Sequence, residues 1–305
     1  MAPHLRKPIK RTETQKARKS EHRARRLARQ EQERVAAEEA RIVSLSFSRK
    51  LDWASKHIEG LRQLTQAWLG TNAYTLVPQT NAGTGRTVVH ARISKPPPPE
   101  LALMVGDAVH ALRATLDHLA LELAVAFHRP KTIPAQLEET SEFVIIGVAD
   151  ETRGAHSFDS AAGSKLKGID PKARDAIKAL QPYHRKAAYS EHPLWVIHEL
   201  DRIDKHRRLS LTAYAMGGVG IGAGPSGFAH IGHLHMERAG HSGPVVDGSV
   251  VAIFTALNSQ FQMNFTRDLT LAEPSLPNAL FVVQTLTTLR DFVRTEVVPT
   301  LTPFL

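Results

Sequence analysis

The amino-acid sequence predicts an α+β fold, with a helical layer packed on an antiparallel sheet and a projecting basic N-terminal helix. Apolar residues recur at three- and four-residue steps through much of the chain before Leu209, which is typical of helices. Beyond Leu209 the pattern changes to the alternation of strands. The 305 residues, 42% of them hydrophobic, suffice for a large core. Because helices and strands occupy separate parts of the chain, the α+β class is favoured.

The first predicted element is one long helix that ends at Gly70. Residues 20–45 are rich in Ala, Arg, Glu and Gln, which favour helices. Apolar and aromatic side chains then continue at helical spacing from Trp53 to Trp68. We therefore expect residues 1–50 to form a basic arm, partly disordered or helical, and residues 51–305 to form a single α+β domain.

The next elements are a hairpin and the main core helix. Residues 73–79 and 86–94 have strand character and flank the turn sequence NAGTG, which predicts a hairpin. The proline-rich residues 95–99 predict a stiff linker inside the domain. Residues 100–127 follow with apolar side chains close to ideal helical spacing, so they predict a long amphipathic helix in the core.

The rest of the chain predicts further helices and then strands. Residues 143–148 form an apolar run that predicts a buried strand, and the Gly-, Ser- and Asp-rich residues 150–168 predict a mobile loop. Prolines begin the predicted helices 171–180 and 193–207. A C-terminal helix is predicted at 278–298, before a proline. Antiparallel strands are predicted at 209–215, 228–237, 249–257 and 261–272.

The positive charge of the protein is concentrated in its first 30 residues. The whole chain has a formal net charge of +9, and residues 1–30 carry eleven Lys and Arg against two Glu, so the rest is formally neutral. Such a segment binds phosphates by releasing counterions, which predicts RNA or DNA as a partner. A solubilising extension without a ligand is the alternative interpretation. The basic residues of this nucleic-acid arm are Arg6, Lys7, Lys10, Arg11, Lys16, Arg18, Lys19, Arg23, Arg25, Arg26 and Arg29.

The composition excludes several functional classes. The chain has no cysteine, which excludes disulfides, thiolate metal sites, iron–sulfur clusters and a cysteine nucleophile. No apolar run follows the basic segment, as a secretory signal requires, and charged residues interrupt the longest apolar stretches. We therefore expect a cytoplasmic protein with no membrane partner and no cofactor.

Two predicted helices, 100–127 and 193–207, each carry an imidazole, a carboxylate and a cation along one line. The three residues on each helix lie three or four positions apart, within about 60° of one another and away from the apolar face. If the two helices face each other, these side chains form a polar seam. The seam is either a buried network that fixes helix register or part of an active site. Its residues are His110, Arg113, Asp117, His198, Asp201, Lys205 and the adjacent His206.

Three segments resemble a family of uncharacterised bacterial proteins, many of them actinobacterial. The segments are HALRATLDHLALEL (110–123), ALQPYHR (179–185) and LWVIHELDRIDKHRRL (194–209). Proteins of that family carry a similar series, LR..LDHL, QPY and L..IDKHR. The resemblance covers residues 70–305 and leaves out the basic arm. The family brings no established activity, but the resemblance implies that the two polar helices belong to one site.

A shorter motif, Arg113-Ala-Thr-Leu-Asp-His118, is similar to the Arg-x4-His signature of HEPN-type ribonucleases. Those helical proteins cleave RNA without a metal, usually across a dimer, and a polar residue usually follows the arginine, where this chain has Ala114. The resemblance implies that Arg113 stabilises phosphate charge and that His118 is the general acid or base. Residues five apart on a helix diverge by about 140°, so the pair converges only through a partner chain or a distorted turn.

These observations lead to two main functional hypotheses. The first is an RNA-directed protein, a metal-independent HEPN-like endoribonuclease acting as a homodimer, with Arg113 and His118 as its catalytic residues. The second is a non-enzymatic interaction protein that its arm tethers to nucleic acid and whose seam is structural. In the first hypothesis the residues that orient or bind phosphate are His110, Asp117, His198, Asp201, Lys205 and His206.

A metal site is a third interpretation of the seam. Its imidazoles and carboxylates are ligands that zinc, manganese or iron accept. The chain has no HExxH motif, and Arg113 and Lys205 would repel a cation. We therefore expect no metal.

Overall fold

The structure is a computed structural model, and the fold it describes is α+β. The described residues are 13–129, 131–207, 209, 211–220, 234–239, 245–256, 262–273, 275–276 and 280–305. The helices in these ranges are α1 (Glu13–Ser44), α2 (Ser46–Gly70), α3 (Pro99–His128), α4 (Ala135–Thr140), α5 (Glu151–Lys165), α6 (Pro171–Ala179), a 3-10 helix (Pro182–Glu191), α7 (Pro193–His206), α8 (Val282–Phe292), a π-helical turn (Val293–Val297), α9 (Val298–Leu301) and a final 3-10 turn (Thr302–Phe304).

The strands form two antiparallel sheets. They are β1 (Tyr74–Thr80), β2 (Arg86–Ile93), β3 (Leu211–Gly220), β4 (Leu234–Ala239), β5 (Val250–Ala256), β6 (Gln262–Leu271) and β7 (Leu280–Phe281). One sheet has the order β1-β2-β5-β4 and the other β3-β6-β7. Each predicted strand beyond Leu209 overlaps an observed one, and residues 228–233 of the second lie outside the described residues.

The predicted hairpin is confirmed, with β1 and β2 paired along their whole lengths. The side chain of Asn81 organises the turn, because its Oδ1 accepts hydrogen bonds from the N–H groups of Gly83 (2.9 Å) and Thr84 (3.2 Å). Gly85 has φ +67°, a conformation that glycine adopts without strain.

The prediction of one continuous N-terminal helix is wrong at a single residue. Leu45 is extended (φ −70°, ψ 154°) and separates α1 from α2. Serine hydroxyls replace the helical hydrogen bonds lost there: Ser44 Oγ donates to the carbonyl of Arg41 and Ser48 Oγ to that of Ile42. The break lies five residues before the predicted domain boundary, and Phe47 at the start of α2 is already buried in the core.

The core forms where α2 packs along α3. The apolar stripe of α3 is buried, as its spacing predicts, and α2 places its own apolar residues against it. Helices α2 and α8 both contact β6, which joins the helical layer to a sheet. Fully buried side chains of the two long helices include Ile58, Leu61, Leu101, Leu112, Leu116, Leu119 and Leu123.

Two predictions for the middle of the chain are wrong. Residues 143–148 form no strand, although 143–145 are buried and 146–148 half-buried, and the predicted loop 150–168 contains helix α5. Asp150 begins α5 by accepting a hydrogen bond from the N–H of Arg153 (2.7 Å). Gly154, which suggested a loop, is a packing residue: a Cβ there would lie 2.4 Å from the Tyr183 ring.

The C-terminal helix begins near its predicted position but continues through the proline. Pro299 lies within α9, and the π-helical turn before it makes a wider hydrogen bond from the Val298 N–H to the Val293 carbonyl. This wider turn accommodates the proline, so the helical course extends to Leu301. Within the described part of the chain, no helix combines the length and apolar character needed to cross a membrane.

Candidate functional site

The polar faces of α3 and α7 meet, as the seam hypothesis predicts. His110 Nδ1 on α3 lies 3.3 Å from Asp201 Oδ1 on α7, and Asp201 Oδ2 lies 2.6 Å from Lys205 Nζ. The two helices approach closely because α3 has Gly106 opposite Asp204, where a Cβ would lie 2.5 Å from a carboxylate oxygen. Asp201 is buried, whereas His110 and Lys205 are exposed, so the seam opens to solvent at this end.

Arg113 is the centre of the buried part of the seam. Its Nη2 lies 2.9 Å from Asp117 Oδ1 and 3.0 Å from Glu142 Oε1, and it donates to the carbonyl of Phe143 (3.0 Å). Lys165 Nζ holds the other oxygen of Glu142 at 2.7 Å. The guanidinium is therefore shared by two carboxylates and a carbonyl, and its side chain is only 6% exposed.

The same side chains hold the extended segment that the sequence predicted to be a strand. Asp117 Oδ1 accepts a hydrogen bond from the Phe143 N–H (3.0 Å). Gln181 Nε2 donates to the carbonyl of Val144, and Gln181 Oε1 accepts from the Ile146 N–H, both at 2.9 Å. Side chains thus satisfy backbone groups that a neighbouring strand would otherwise satisfy. Glu142 and Gln181 were missed as site residues, although Gln181 lies in the QPY motif.

Burial around Arg113 changes the acidity of its neighbours. Burial raises the pKa of Asp117 despite the nearby guanidinium. Burial, aided by the charge of Arg113, lowers the pKa of His198. For Glu142 burial acts in the opposite sense, but Lys165 and Arg113 together hold its pKa below the usual value. At neutral pH the seam therefore favours a neutral His198 and an ionised Glu142.

His118 lies on a different face of α3 from Arg113. It lines a cleft at the junction of α1 and α2, whereas Arg113 bonds to Asp117, Glu142 and Phe143. The two residues that the ribonuclease resemblance pairs are therefore not brought together within one chain, as the helical rotation between them predicts. The buried Nδ1 of His118 has no hydrogen-bond partner among the described residues.

The cleft beside His118, here called the α1–α2 cleft, has a volume of about 630 Å³. Its polar and aromatic lining consists of Ser44, Ser46, Arg49, Lys50, Trp53, His118 and Glu122. Ser46 donates from both its N–H (3.3 Å) and its hydroxyl (2.9 Å) to Glu122 Oε1, which ties the start of α2 to α3. Apart from His118, these residues were not predicted as site residues, and the basic pair in the sequence SRKLDW was the signal available.

The IDKHR motif mainly anchors the end of α7. Asp204 faces Gly106, Lys205 pairs with Asp201, and Arg207 Nη2 lies 2.5 Å from Glu273 Oε2, whose side chain is fully buried. His206 is exposed at the last turn of the helix. The motif therefore positions α7 against α3 and against the segment after β6.

Part of the basic arm is described by the structure. Arg25, Arg26 and Arg29 are exposed on α1, and Arg29 pairs with Glu33 four residues on. Lys16, Arg18, Lys19 and Arg23 also belong to α1. Arg6, Lys7, Lys10 and Arg11 lie outside the described residues.

Across the described ranges, no three His, Asp or Glu side chains are grouped so that they could hold a metal ion. His110, Asp117, His198 and Asp201 share the seam, but Arg113 and Lys205 pair with the two aspartates. The two aspartates of the seam, Asp117 and Asp201, are therefore arranged in ion pairs.

Comparisons with known proteins place no family or relative beside this chain: no family model, no curated protein and no solved structure matches it. The resemblances to the bacterial family and to HEPN-type ribonucleases remain predictions from the motifs.

Proposed function

We propose that the protein is an RNA-directed binding protein, in which α1 contacts the phosphate backbone and the α3–α7 seam is a structural network. The exposed basic face of α1 carries this proposal. Arg25, Arg26 and Arg29 are exposed within about one turn of α1, and Lys16, Arg18, Lys19 and Arg23 precede them in the same helix. Several cations along one helix suit the repeated charges of a phosphate backbone.

The contacts of Arg113 favour a structural role for the seam over a catalytic one. A phosphate-binding arginine needs donors directed at the ligand. The Nη2 of Arg113 is instead committed to Asp117, Glu142 and Phe143, and the side chain is buried. Such a network is the arrangement expected of a structural ion-pair cluster.

The test is RNA binding by the full chain at several salt concentrations, measured by fluorescence anisotropy of a labelled single-stranded RNA. Simultaneous replacement of Arg25, Arg26 and Arg29 by Ala removes up to three phosphate contacts. The slope of log K against log salt should then fall by about 2, since each contact to a single strand contributes about 0.7. A labelled DNA of the same sequence shows whether the arm distinguishes the two sugars.

The matched control replaces Arg62, Arg92 and Arg294 by Ala, which removes the same charge from the body of the protein. These three arginines pair with Glu59, Asp247 and Asp52. An equal loss of affinity in both triple variants would show that net charge alone attracts RNA. Equal loss, or no RNA binding by the unmodified chain at low salt, overturns the proposal.

An endoribonuclease is the second candidate function, and the placement of His118 favours it. The His118 imidazole lines a cleft that also contains Arg49 and Lys50, and its buried Nδ1 has no hydrogen-bond partner among the described residues. Imidazole suits proton transfer at neutral pH, and the two cations would attract phosphate.

RNA integrity after incubation with the protein and EDTA tests this candidate beside His118→Ala and Arg113→Ala. Cleavage that survives EDTA and is lost in His118→Ala supports a metal-independent site. If Arg113→Ala abolishes cleavage without lowering the melting temperature, the arginine acts in the chemistry. RNA that stays intact in every lane overturns the candidate for that RNA.

A further inference from the structure

We propose that the α1–α2 cleft binds one nucleotide of single-stranded RNA, with the base stacked on Trp53 and the phosphate held by Arg49 and Lys50. The inference rests on the proposed RNA-directed function and names the place where a base is held. The cleft lies where α1 meets α2, at the opposite end of α1 from the basic residues of the arm. Its volume of about 630 Å³ is in the range of small-ligand sites.

Trp53 has the exposure of a stacking platform. The residue is 54% exposed, although the surrounding apolar residues of α2, such as Leu51 and Ala54, are buried. Its ring has two neighbours on the same helix: the His57 ring makes an edge contact at 5.1 Å between centroids, and Lys56 Nζ lies over one face, 5.5 Å from the centroid. A base would stack on the opposite face. Bases stack on such side chains with little dependence on sequence, because every base presents a π face.

The charges of the cleft select an anion. Arg49 and Lys50 form no ion pair within the described part of the chain, unlike Arg113 and Lys205 in the seam. Glu122 is the one carboxylate among the lining residues, so the two cations exceed it by one charge. A phosphodiester carries one negative charge and therefore matches the cleft.

Glu122 and His118 supply polar groups for the sugar or the base edge. Glu122 Oε1 is occupied by Ser46, whereas its Oε2 accepts no hydrogen bond from the described residues and is able to accept one from a ribose hydroxyl or an exocyclic amine. His118 lines the same cleft with its imidazole, whose Nδ1 is itself buried and does not face the ligand. These groups distinguish a nucleotide from inorganic phosphate, which has neither a base nor a sugar.

The experiment titrates the full chain with AMP, adenosine and inorganic phosphate, followed by calorimetry and by tryptophan fluorescence. Trp53 is the most exposed of the three tryptophans, since Trp68 is buried and Trp195 half-buried, so stacking should quench mainly its emission. AMP should bind more tightly than adenosine or phosphate alone. Its affinity should fall at least tenfold in Trp53→Ala and in the double variant Arg49→Gln/Lys50→Gln.

Two controls separate the cleft from the arm. The double variant Arg62→Gln/Lys95→Gln removes two cations elsewhere and should leave AMP affinity unchanged. The triple replacement of Arg25, Arg26 and Arg29 should weaken binding of oligoadenylate but not of AMP. Absence of AMP binding, or equal affinity in Trp53→Ala and the unmodified chain, overturns the cleft even if RNA still binds to α1.

Binding of oligoadenylate distinguishes an RNA chain from a free nucleotide as the ligand of the cleft. If Trp53→Ala weakens oligoadenylate binding as well as AMP binding, an RNA chain occupies the cleft. If it abolishes AMP binding alone, the ligand is a free nucleotide and the RNA assignment is overturned. If RNA does not bind α1 at all while AMP binds the cleft, the proposed function fails and the nucleotide site stands, so the two failures are distinguishable.

Discussion

Helix α3 contributes to two polar regions that differ in how their charges are used. In the seam, Arg113 is buried and shared between Asp117 and Glu142. In the α1–α2 cleft, α3 contributes His118 and Glu122, about 1.4 and 2.5 turns beyond Arg113, and Arg49 and Lys50 of α2 line the cleft without an ion pair among the described residues. Polar residues at helical spacing therefore do not by themselves indicate a ligand site. Burial and pairing distinguish a network that supports the fold from a surface that is free to bind.

The largest difference between the regions should appear when the same residue type is removed from each. Arg113→Ala leaves Asp117, Glu142 and the carbonyl of Phe143 without their shared donor. Removing one partner of a fully buried ion pair costs about 3–5 kcal/mol of unfolding free energy. The side chains of Asp117 and Glu142 are 31% and 45% exposed, so solvent screens part of this loss and the cost should lie near the lower end of that range. Arg49→Ala, at an exposed site, should change it by less than about 0.5 kcal/mol.

Urea denaturation of both variants measures this contrast. If Arg113→Ala unfolds at the same denaturant concentration as the unmodified chain, the seam is not a stabilising network. Arg113 would then be a candidate catalytic residue again.

Low pH should lower the unfolding free energy through α7, the helix that carries the second half of the seam. His192 caps α7, because its Nδ1 accepts a hydrogen bond from the Leu194 N–H (3.2 Å), and burial, with the charges of Arg185 and His184, lowers its pKa to about 4. An unfolded histidine titrates near 6.5, so the unfolded chain binds more protons between these values. The unfolding free energy should therefore fall as the pH drops from about 6.5 to about 4, by about 3 kcal/mol from this group.

His192→Asn is the control for the acid effect, because asparagine also caps helices but does not titrate. The measured quantity is the difference in unfolding free energy between the two proteins at pH 7 and pH 4.5. A pH dependence that is the same in both proteins would exclude His192 as its source.

A smaller loss of stability should follow from separating α3 and α7. In Gly106→Ala the new Cβ would lie 2.5 Å from Asp204 Oδ1, which forces the helices or the aspartate to move. Such overpacking costs about 1–3 kcal/mol, but only the end of the Asp204 side chain is in the way and alanine gains about 1 kcal/mol of helix propensity over glycine, so a net loss of about 1 kcal/mol is expected. Gly163→Ala in α5 is the matched control, since nothing lies within 4 Å of its Cβ position and alanine favours helices.

The double variant Gly106→Ala/Asp204→Ala sharpens this prediction. Removing the carboxylate should restore part of the lost melting temperature, because the contact that is strained is the one between these two positions. No recovery would indicate that the backbone of α7, not the Asp204 side chain, limits the approach.

The smallest effect on stability is expected in the cleft. Arg49→Gln/Lys50→Gln should leave the unfolding free energy within about 0.5 kcal/mol, because neither side chain supports a described ion pair. A loss of more than about 2 kcal/mol would show that these cations belong to the fold and would remove the contrast with the seam.

The predicted elements that the structure confirms are those determined by residues close together in the sequence. The spacing of apolar residues determined α3, the proline first turns determined α6 and α7, and the NAGTG turn determined the hairpin. The seam was also predictable, since side chains three and four positions apart share one face of a helix.

The elements that failed depend on contacts from distant parts of the chain. Residues 143–148 have the apolar composition of a strand, but Asp117 and Gln181 satisfy their backbone groups in place of a neighbouring strand. The glycines of α5 suggested a loop. Nothing in the neighbouring sequence indicates that the Tyr183 ring packs over Gly154. The start of α2 just after the break at Leu45 likewise makes a distant contact, because Ser46 donates to Glu122, 76 positions away.

The α+β class, the helical faces and the concentration of positive charge in the arm follow from composition and periodicity, which depend on residues close together in the chain. Which charges are neutralised depends on how distant segments pack. Arg113 and Arg49 are the same residue type, each on an amphipathic helix. One is buried beside Glu142 and the other faces an open cleft, and this difference arises because distant segments pack beside one and leave the other exposed.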